Sequence, residues 1–147
     1  PDSHVLETLS GRGTLFEIFR RDEAIRRLDA VLSECRRNLS CLDRAFRRAK
    51  ENQKDPRRGK VITKRLGVSA VQLLITDRYV DEDESFFELT EGCLASVDAV
   101  NEQLKRWASS AEAVENWLIR NTGKAKKHIE KFKTQVEAAR ETLSKRF

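Results

Sequence analysis

The residue types that could support catalysis or metal binding are few and scattered along this chain. Its two histidines, His4 and His128, stand near opposite ends of the sequence, and neither belongs to a His-Glu-x-x-His pattern. A metal site needs clustered ligands at short spacing, and a catalytic nucleophile needs a base beside it. We therefore expect no metal, no cofactor, no catalytic residue and no enzymatic activity.

Two short segments carry partial chemical signatures. Residues 11–14, Gly-Arg-Gly-Thr, precede a predicted helix, where backbone amides can bind an anion. They lack the remaining glycines and the lysine of a phosphate-binding loop. Residues 81–84, Asp-Glu-Asp-Glu, offer paired carboxylates, but acidic residues in front of a helix are typical of a solvated cap at its positive end. We interpret the first segment as a loop and the second as a capping segment.

The three cysteines, Cys35, Cys41 and Cys93, cannot all pair within one chain. Cys35 and Cys93 fall in apolar stripes of predicted helices. We therefore expect reduced core cysteines in an intracellular protein, cytoplasmic or nuclear, rather than a disulfide. The sequence shows neither an apolar run of about 18 residues that could span a membrane nor a signal-peptide pattern.

Charge is the most informative surface property of the sequence. Charged residues make up 36% of the chain, against about 25% in an average domain. Residues 36–65 carry a net charge of +9, residues 77–91 carry −6, and residues 124–146 carry +5. Such opposed segments can steady one another, steer a partner protein or bind a polyanion.

These charges and the surplus apolar residues lead to two functional hypotheses. The first is a non-enzymatic protein-interaction or oligomerisation module of the scaffold, adaptor or signalling kind, which binds a helix in a groove or self-associates through heptad faces. We expect its apolar anchors at Phe16, Phe19 and Trp117, and for Trp117 the alternative is a position in the core or at a seam between helices. The expected steering charges are Arg47, Arg48, Arg57 and Arg58.

The alternative hypothesis is binding to an anionic membrane or a nucleic acid through the basic stretch 36–65, with Lys60 and Lys64 as further contacts. Nucleic acid is the weaker option, because Phe46 is the only aromatic residue there that could stack on a base.

Long helices must position all of these residues. The first apolar stripe recurs every three or four residues, which is the helical signature, at Ile25, Leu28, Leu32, Cys35, Leu39, Leu42, Phe46 and Ala49. It predicts a helix from about Leu15 to about Gln53, which ends before Pro56. A second helix is predicted over roughly Lys60 to Tyr79, with Gly67 as a point where it could kink or restart.

A third helix begins near Phe86, and its stripe continues through Trp107, which we expect in the core. Residues 109–112 can be read as a turn with a capping box or as the interior of one longer helix. Residues 121–123, Asn-Thr-Gly, are a second candidate break.

The fold expected from these patterns is all-α: an elongated bundle of three or four helices, long, antiparallel and coiled-coil-like. The sequence contains no Met, even at position 1. We therefore expect residues 1–147 to form a single helical-bundle domain excised from a larger protein.

Overall fold

The computed structural model describes residues 15–55, 57, 59, 61–62, 64–76 and 84–145, with side chains described from residue 20 onwards. These residues are almost entirely helical, and no strand occurs among them. The four helices are α1 (Leu15–Lys54), α2 (Ser69–Thr76), α3 (Glu84–Arg106) and α4 (Ala111–Lys145). The all-α prediction is confirmed, and α1 ends within one residue of its predicted end. Coiled-coil character stays a prediction.

Helix α4 packs against both α1 and α3. Polar pairs across the α1–α4 interface run in opposite directions along the two helices, so the pair is antiparallel. These pairs are Asp29 with Arg140, Asp43 with Lys126, and Gln53 with Asn116. All three are exposed, and exposed polar pairs contribute little to stability because water screens them. They fix the register of a helix pair that apolar burial holds together.

Apolar side chains from all four helices form one core. Trp107, predicted to lie there, is fully buried. Phe132 is also fully buried, and its ring meets the edge of Phe86 with the centroids 5.9 Å apart. Burying an aromatic side chain of this size contributes about 1.5–3 kcal/mol, so these rings are principal contributors to the bundle's stability.

The chain turns between α3 and α4, which answers the question that the sequence left open at residues 109–112. Residues 107–110 form the turn, with Ser110 N donating to Arg106 O at 2.9 Å. The hydroxyl of Ser109 donates back to Arg106 O at 3.1 Å, so Ser109 does not form the capping box that its spacing with Glu112 suggested. The apolar spacing persists through the turn because the two antiparallel helices share one core.

The second candidate break does not exist, because α4 continues through residues 121–123. Thr122 is buried, and its hydroxyl donates to Leu118 O at 2.8 Å. A hydroxyl satisfied within its own helix can occupy a core position. A polar residue in the apolar stripe therefore does not interrupt the helix here.

The predicted second helix is wrong in its first half. The described residues among 61–68 are not helical, and α2 begins only at Ser69. The last predicted residues, 77–79, lie outside the described part. We name residues 55–68, as far as they are described, the connector. Leu66 is buried and Ile62 is half-buried within it, so the apolar pattern predicted which residues turn inward but not their backbone conformation.

Polar side chains of α1 and α3 take the place of the missing helical hydrogen bonds in the connector. Asn38 accepts from Gly67 N and donates to Gly67 O, each at 2.9 Å. Asn101 accepts from Leu66 N at 2.7 Å and donates to Leu66 O at 3.1 Å. Each amide completes both backbone groups of one residue, so the connector can lie against the bundle without leaving buried polar groups unpaired.

The first turn of α2 is completed by a buried carboxylate. Glu34 is 3% exposed, and its oxygens accept from Ala70 N at 3.2 Å and Val71 N at 3.3 Å. These amides are among those that a helix leaves unpaired at its N-terminus. A Cβ on Gly67 would lie 3.1 Å from a Glu34 oxygen, so glycine gives this carboxylate room.

Candidate functional site

A groove runs along the outer surface where α3 packs against α4. We call it the α3–α4 groove, and its volume is about 250 Å³. Its lining residues are Gly92, Ala95, Ser96 and Ala99 from α3 and Trp117, Asn121, Lys124, Ala125 and His128 from α4. A Cβ added at Gly92 would meet no atom within 4 Å. The α3 wall is thus low and open, because its side chains are small.

Trp117 is the largest side chain in this groove. It is half-buried, packs against the core and lines the groove. The backbone oxygen of Trp117 accepts from the side-chain amide of Asn121 at 2.8 Å, within α4. The predicted anchor Trp117 is therefore placed at a concave surface, with one part of its indole fixed by the core.

Ser96 and His128 join the two walls of the groove through a contact of 2.6 Å between Oγ and Nδ1. A serine nucleophile would also need a third group to orient the imidazole and donors for an oxyanion. Among the described residues, Ser96 is the only hydrogen-bond partner of His128. The pair's evident role is to hold α3 and α4 at a fixed separation.

A second concave surface lies between α1 and the connector. We call it the basic pocket. It measures about 350 Å³, and its lining residues are Arg44, Arg47, Arg48, Glu51, Ile62 and Lys64. The four α1 residues recur at spacings of three and four and so share one helix face. Ile62 and Lys64 reach the pocket from the connector.

The charges of the basic pocket are unbalanced. Four cationic side chains face one carboxylate, and Glu51 pairs with Arg48 at 3.5 Å. Over the described part of the chain, no carboxylate lies within 4.0 Å of the charged groups of Arg44, Arg47 or Lys64. The pocket therefore gathers three cations that have no counter-charge among the described residues.

Contacts below the pocket fix the connector against α1. The thiol of Cys41 donates to Lys64 O at 3.8 Å. Asn52 accepts from Gly59 N at 2.8 Å. A Cβ on Gly59 would lie 3.1 Å from a guanidinium nitrogen of Arg48, so glycine lets the connector pass close to this arginine. The basic pocket is thus held from both of its sides.

A buried polar network supports the same region. Glu115 is fully buried, and its Oε2 accepts from Trp107 Nε1 at 2.9 Å and from Asn52 Nδ2 at 3.2 Å. Because Asn52 also holds Gly59, the network ties α4 and the turn before it to α1 and the connector. Buried polar groups that are fully bonded in this way specify one arrangement of the chain.

All three cysteines are free and buried. Burial raises the pKa of the Cys41 thiol, and the neighbouring Arg44 partly opposes this shift. A hydrogen bond to Cys35 raises the pKa of Cys93, and burial raises it further. The expected core position of Cys35 and Cys93 is confirmed. The same hydrogen bond lowers the pKa of Cys35. Only Cys41 and Cys93 are therefore kept protonated by a raised pKa, and protonated thiols are poor nucleophiles and poor metal ligands.

The structure brings some of the predicted contact residues together and separates others. Arg47, Arg48 and Lys64 meet in the basic pocket, and Arg57 is exposed on the connector. Trp117 lies in the α3–α4 groove instead, so the predicted anchor and charges belong to two surfaces. The side chains of Phe16 and Phe19, together with Arg58 and Lys60, lie outside the described residues.

Sequence reasoning missed the small α3 wall and the polar residues that hold the connector. Gly92, Ala95, Ser96 and Ala99 follow the helical spacing of a face, which is a signal for close approach that could have been found. Arg44 was visible only as one member of the basic stretch. Its convergence with Lys64 depends on the connector's path, which no local pattern predicts.

Within the described ranges, no helix has an apolar stretch long enough to cross a membrane. The same residues contain no group of three or more His, Cys, Asp or Glu side chains that could hold a metal ion. The chain matches no protein-family model, and comparison with curated proteins and with solved structures gives no significant match. The geometry of the α3–α4 groove is therefore the basis for a functional proposal.

Proposed function

We propose that this chain is a non-enzymatic protein-interaction module that binds an amphipathic helix of a partner protein in the α3–α4 groove. The observation that carries the proposal is Trp117, a half-buried aromatic side chain beside a low wall of small α3 residues. Tryptophan is enriched among the residues that contribute most to binding energy. Helices bind in grooves through apolar side chains at helical spacing.

The dimensions of the groove suit a short helix. The lining residues of α4 extend from Trp117 to His128, a distance of about 16 Å at about 1.5 Å per residue. This length accepts about three turns of a partner helix. Small side chains at Gly92, Ala95 and Ala99 would let the partner's backbone approach α3 closely, so that its larger side chains fill the groove.

The charge of the groove predicts the charge of the partner helix. Over the described part of the chain, no carboxylate lies within 4.0 Å of the Lys124 ammonium group, and Lys124 lines the groove. An acidic residue on the partner helix would pair with it and set the direction of docking. We therefore propose a partner helix with an apolar face and at least one carboxylate beside it.

The first experiment tests where the partner docks. A photo-crosslinking amino acid is introduced in cells at Ala99, which is exposed in the groove, and separately at Ala30, which is exposed on α1. We expect a helical segment of one partner to crosslink at Ala99 and not at Ala30. Equal capture at both positions, or capture of a non-helical segment, contradicts the proposal.

The second experiment measures affinity with the captured segment as a synthetic peptide. The Ala99→Arg substitution fills the groove and should weaken binding by about tenfold or more, whereas Ala30→Arg should change it by less than about twofold. Binding that Ala99→Arg leaves intact rejects the groove as the site. Light scattering tests whether the chain self-associates instead. If it forms a dimer that Ala99→Arg dissociates, the groove binds a second copy of the chain.

A further inference from the structure

We propose that the basic pocket between α1 and the connector binds a compact ligand carrying several phosphate groups, of the inositol polyphosphate kind. This site is separate from the α3–α4 groove, since the two share none of their described lining residues. The proposal therefore stands or falls independently of the partner helix.

Cationic side chains converge on the basic pocket from two elements of the fold. Arg44 and Arg47 project from one face of α1, and Lys64 faces them from the connector. None of these three cations has a carboxylate within 4.0 Å among the described residues. Gathering like charges without a counter-charge costs free energy unless an anion binds between them. The arrangement thus suits an external anion better than it suits the fold alone.

The chain around the basic pocket is already held in place before a ligand binds. Arg48 is held by Glu51 at 3.5 Å and by the close passage of Gly59. Lys64 is carried by a backbone that Cys41 and Asn38 anchor nearby. A site whose backbone is already fixed loses less conformational entropy when the ligand binds. Guanidinium groups moreover match phosphate oxygens with paired donors.

The shape and the lining of the pocket favour a compact polyphosphate over a nucleic acid. The pocket is concave, and its volume of about 350 Å³ falls within the roughly 300–1,000 Å³ of small-molecule sites. Among the described residues, Ile62 is the only apolar residue that lines it, and none of its described lining residues is aromatic. Binding of single-stranded nucleic acid depends on aromatic side chains that stack on bases. A cluster of phosphates on a small ring needs no such surface.

Clustered phosphates of this kind occur both on soluble inositol polyphosphates and on phosphoinositide headgroups. The experiment therefore has two arms. The first measures binding of inositol hexakisphosphate to the full chain by calorimetry, at low salt and at about 0.15 M salt, where screening is stronger. The second measures sedimentation of the chain with phosphatidylcholine vesicles that contain phosphatidylinositol bisphosphate, against vesicles that contain phosphatidylserine at equal charge.

The test variant replaces Arg44, Arg47 and Lys64 with Gln. All three are exposed, so the fold should persist, which a thermal melt followed by circular dichroism checks. The control variant removes equal charge elsewhere by replacing Lys105, Lys127 and Lys131 with Gln, and these too are exposed and have no carboxylate partner among the described residues. We expect the pocket variant to bind inositol hexakisphosphate about tenfold or more weakly and the control less than about twofold more weakly.

Each outcome decides the proposal. Weaker binding of inositol hexakisphosphate in the pocket variant alone supports it. The vesicle experiment then shows whether the pocket also binds a lipid headgroup. Equal loss in both variants would show general attraction between opposite charges and overturns the proposal. So does the absence of binding at low salt. Tighter binding of single-stranded RNA than of inositol hexakisphosphate, through the same three residues, overturns the ligand class.

Discussion

The α1–α4 helix pair and the connector are held to the same core by different forces. Along α1 and α4, each backbone satisfies its own hydrogen bonds, so the interface consists mainly of apolar side chains, with a few exposed polar pairs and one buried contact between Asn52 and Glu115. The connector has no internal ladder, and the buried side chains of Asn38 and Asn52, with the half-buried side chain of Asn101, supply its hydrogen bonds. Regular elements therefore depend on packing, whereas an irregular element in the same core depends on specific polar partners.

The largest decrease in the free energy of unfolding should come from a substitution in the packed helices. Replacing Phe132 with Ala removes a fully buried ring that contacts Phe86. Such truncations cost about 3–5 kcal/mol, through lost burial and the cavity that remains. Urea denaturation should show this decrease in the free energy of unfolding. Phe87→Ala is the matched control, since Phe87 is 38% exposed, and a decrease of similar size there would contradict the comparison.

A smaller effect, confined to one region, should follow from loss of a connector partner. Asn101→Ala leaves the N–H and C=O of buried Leu66 without their side-chain partners, and an orphaned buried group costs about 1–3 kcal/mol. Amide exchange should accelerate at Leu66 more than in α4. The control is Asn116→Ala, which removes only an exposed contact with Gln53. Unchanged exchange at Leu66 would show that Asn101 does not hold the connector.

The same difference explains what the sequence could and could not predict. The first stripe of α1, with Leu28, Leu32 and Cys35, predicted the helix and its core face. A second stripe, interleaved with the first and also spaced by three and four, holds the connector. Its members are Val31, Glu34, Asn38, Cys41, Ala45 and Asn52, and Ala49 belongs to both stripes. Because three of them are polar, hydrophobic periodicity alone does not recognise the face as buried.

The sites were predictable only in part, for a related reason. Trp117 stands beside an apolar stripe, and its position at a groove follows from the helical spacing of its neighbours. The basic pocket requires Lys64 to return to α1, and that return depends on hydrogen bonds between residues far apart in sequence, such as Cys41 with Lys64 and Asn38 with Gly67. Local patterns contain no information on such pairings.

Alkaline pH should lower the free energy of unfolding through Cys41, whose thiol contacts the connector. The pKa of this thiol is raised by burial in the folded chain, so the unfolded chain loses the proton first as the pH rises. The free energy of unfolding then falls above about pH 8.5, by at most about 1.4 kcal/mol per pH unit for this thiol. Urea denaturation in reducing buffer from pH 7.5 to 10 should show a shallower decline for Cys41→Ala than for the original chain. Identical declines would mean that Cys41 ionises equally in both states.

The smallest change in the free energy of unfolding should come from a buried polar group in α4 that forms no contact with another helix. Thr122 is buried in the stripe of α4, and its hydroxyl bonds only to Leu118 O in its own helix. Thr122→Val removes that donor, but Leu118 O keeps its helical partner and no group is orphaned. The free energy of unfolding should therefore change by less than about 1 kcal/mol, toward greater stability because a methyl group replaces the hydroxyl in the core.

Thr142→Val is the control for this last substitution, since exposed Thr142 makes the same contact with Ala138 O at 3.0 Å. A gain at Thr122 that exceeds the change at Thr142 isolates the effect of burial from that of helix propensity. A loss above about 1 kcal/mol at Thr122 would contradict the comparison. It would mean that the packed helices, like the connector, depend on a specific polar contact, and that burial of apolar surface alone does not explain how α4 is held.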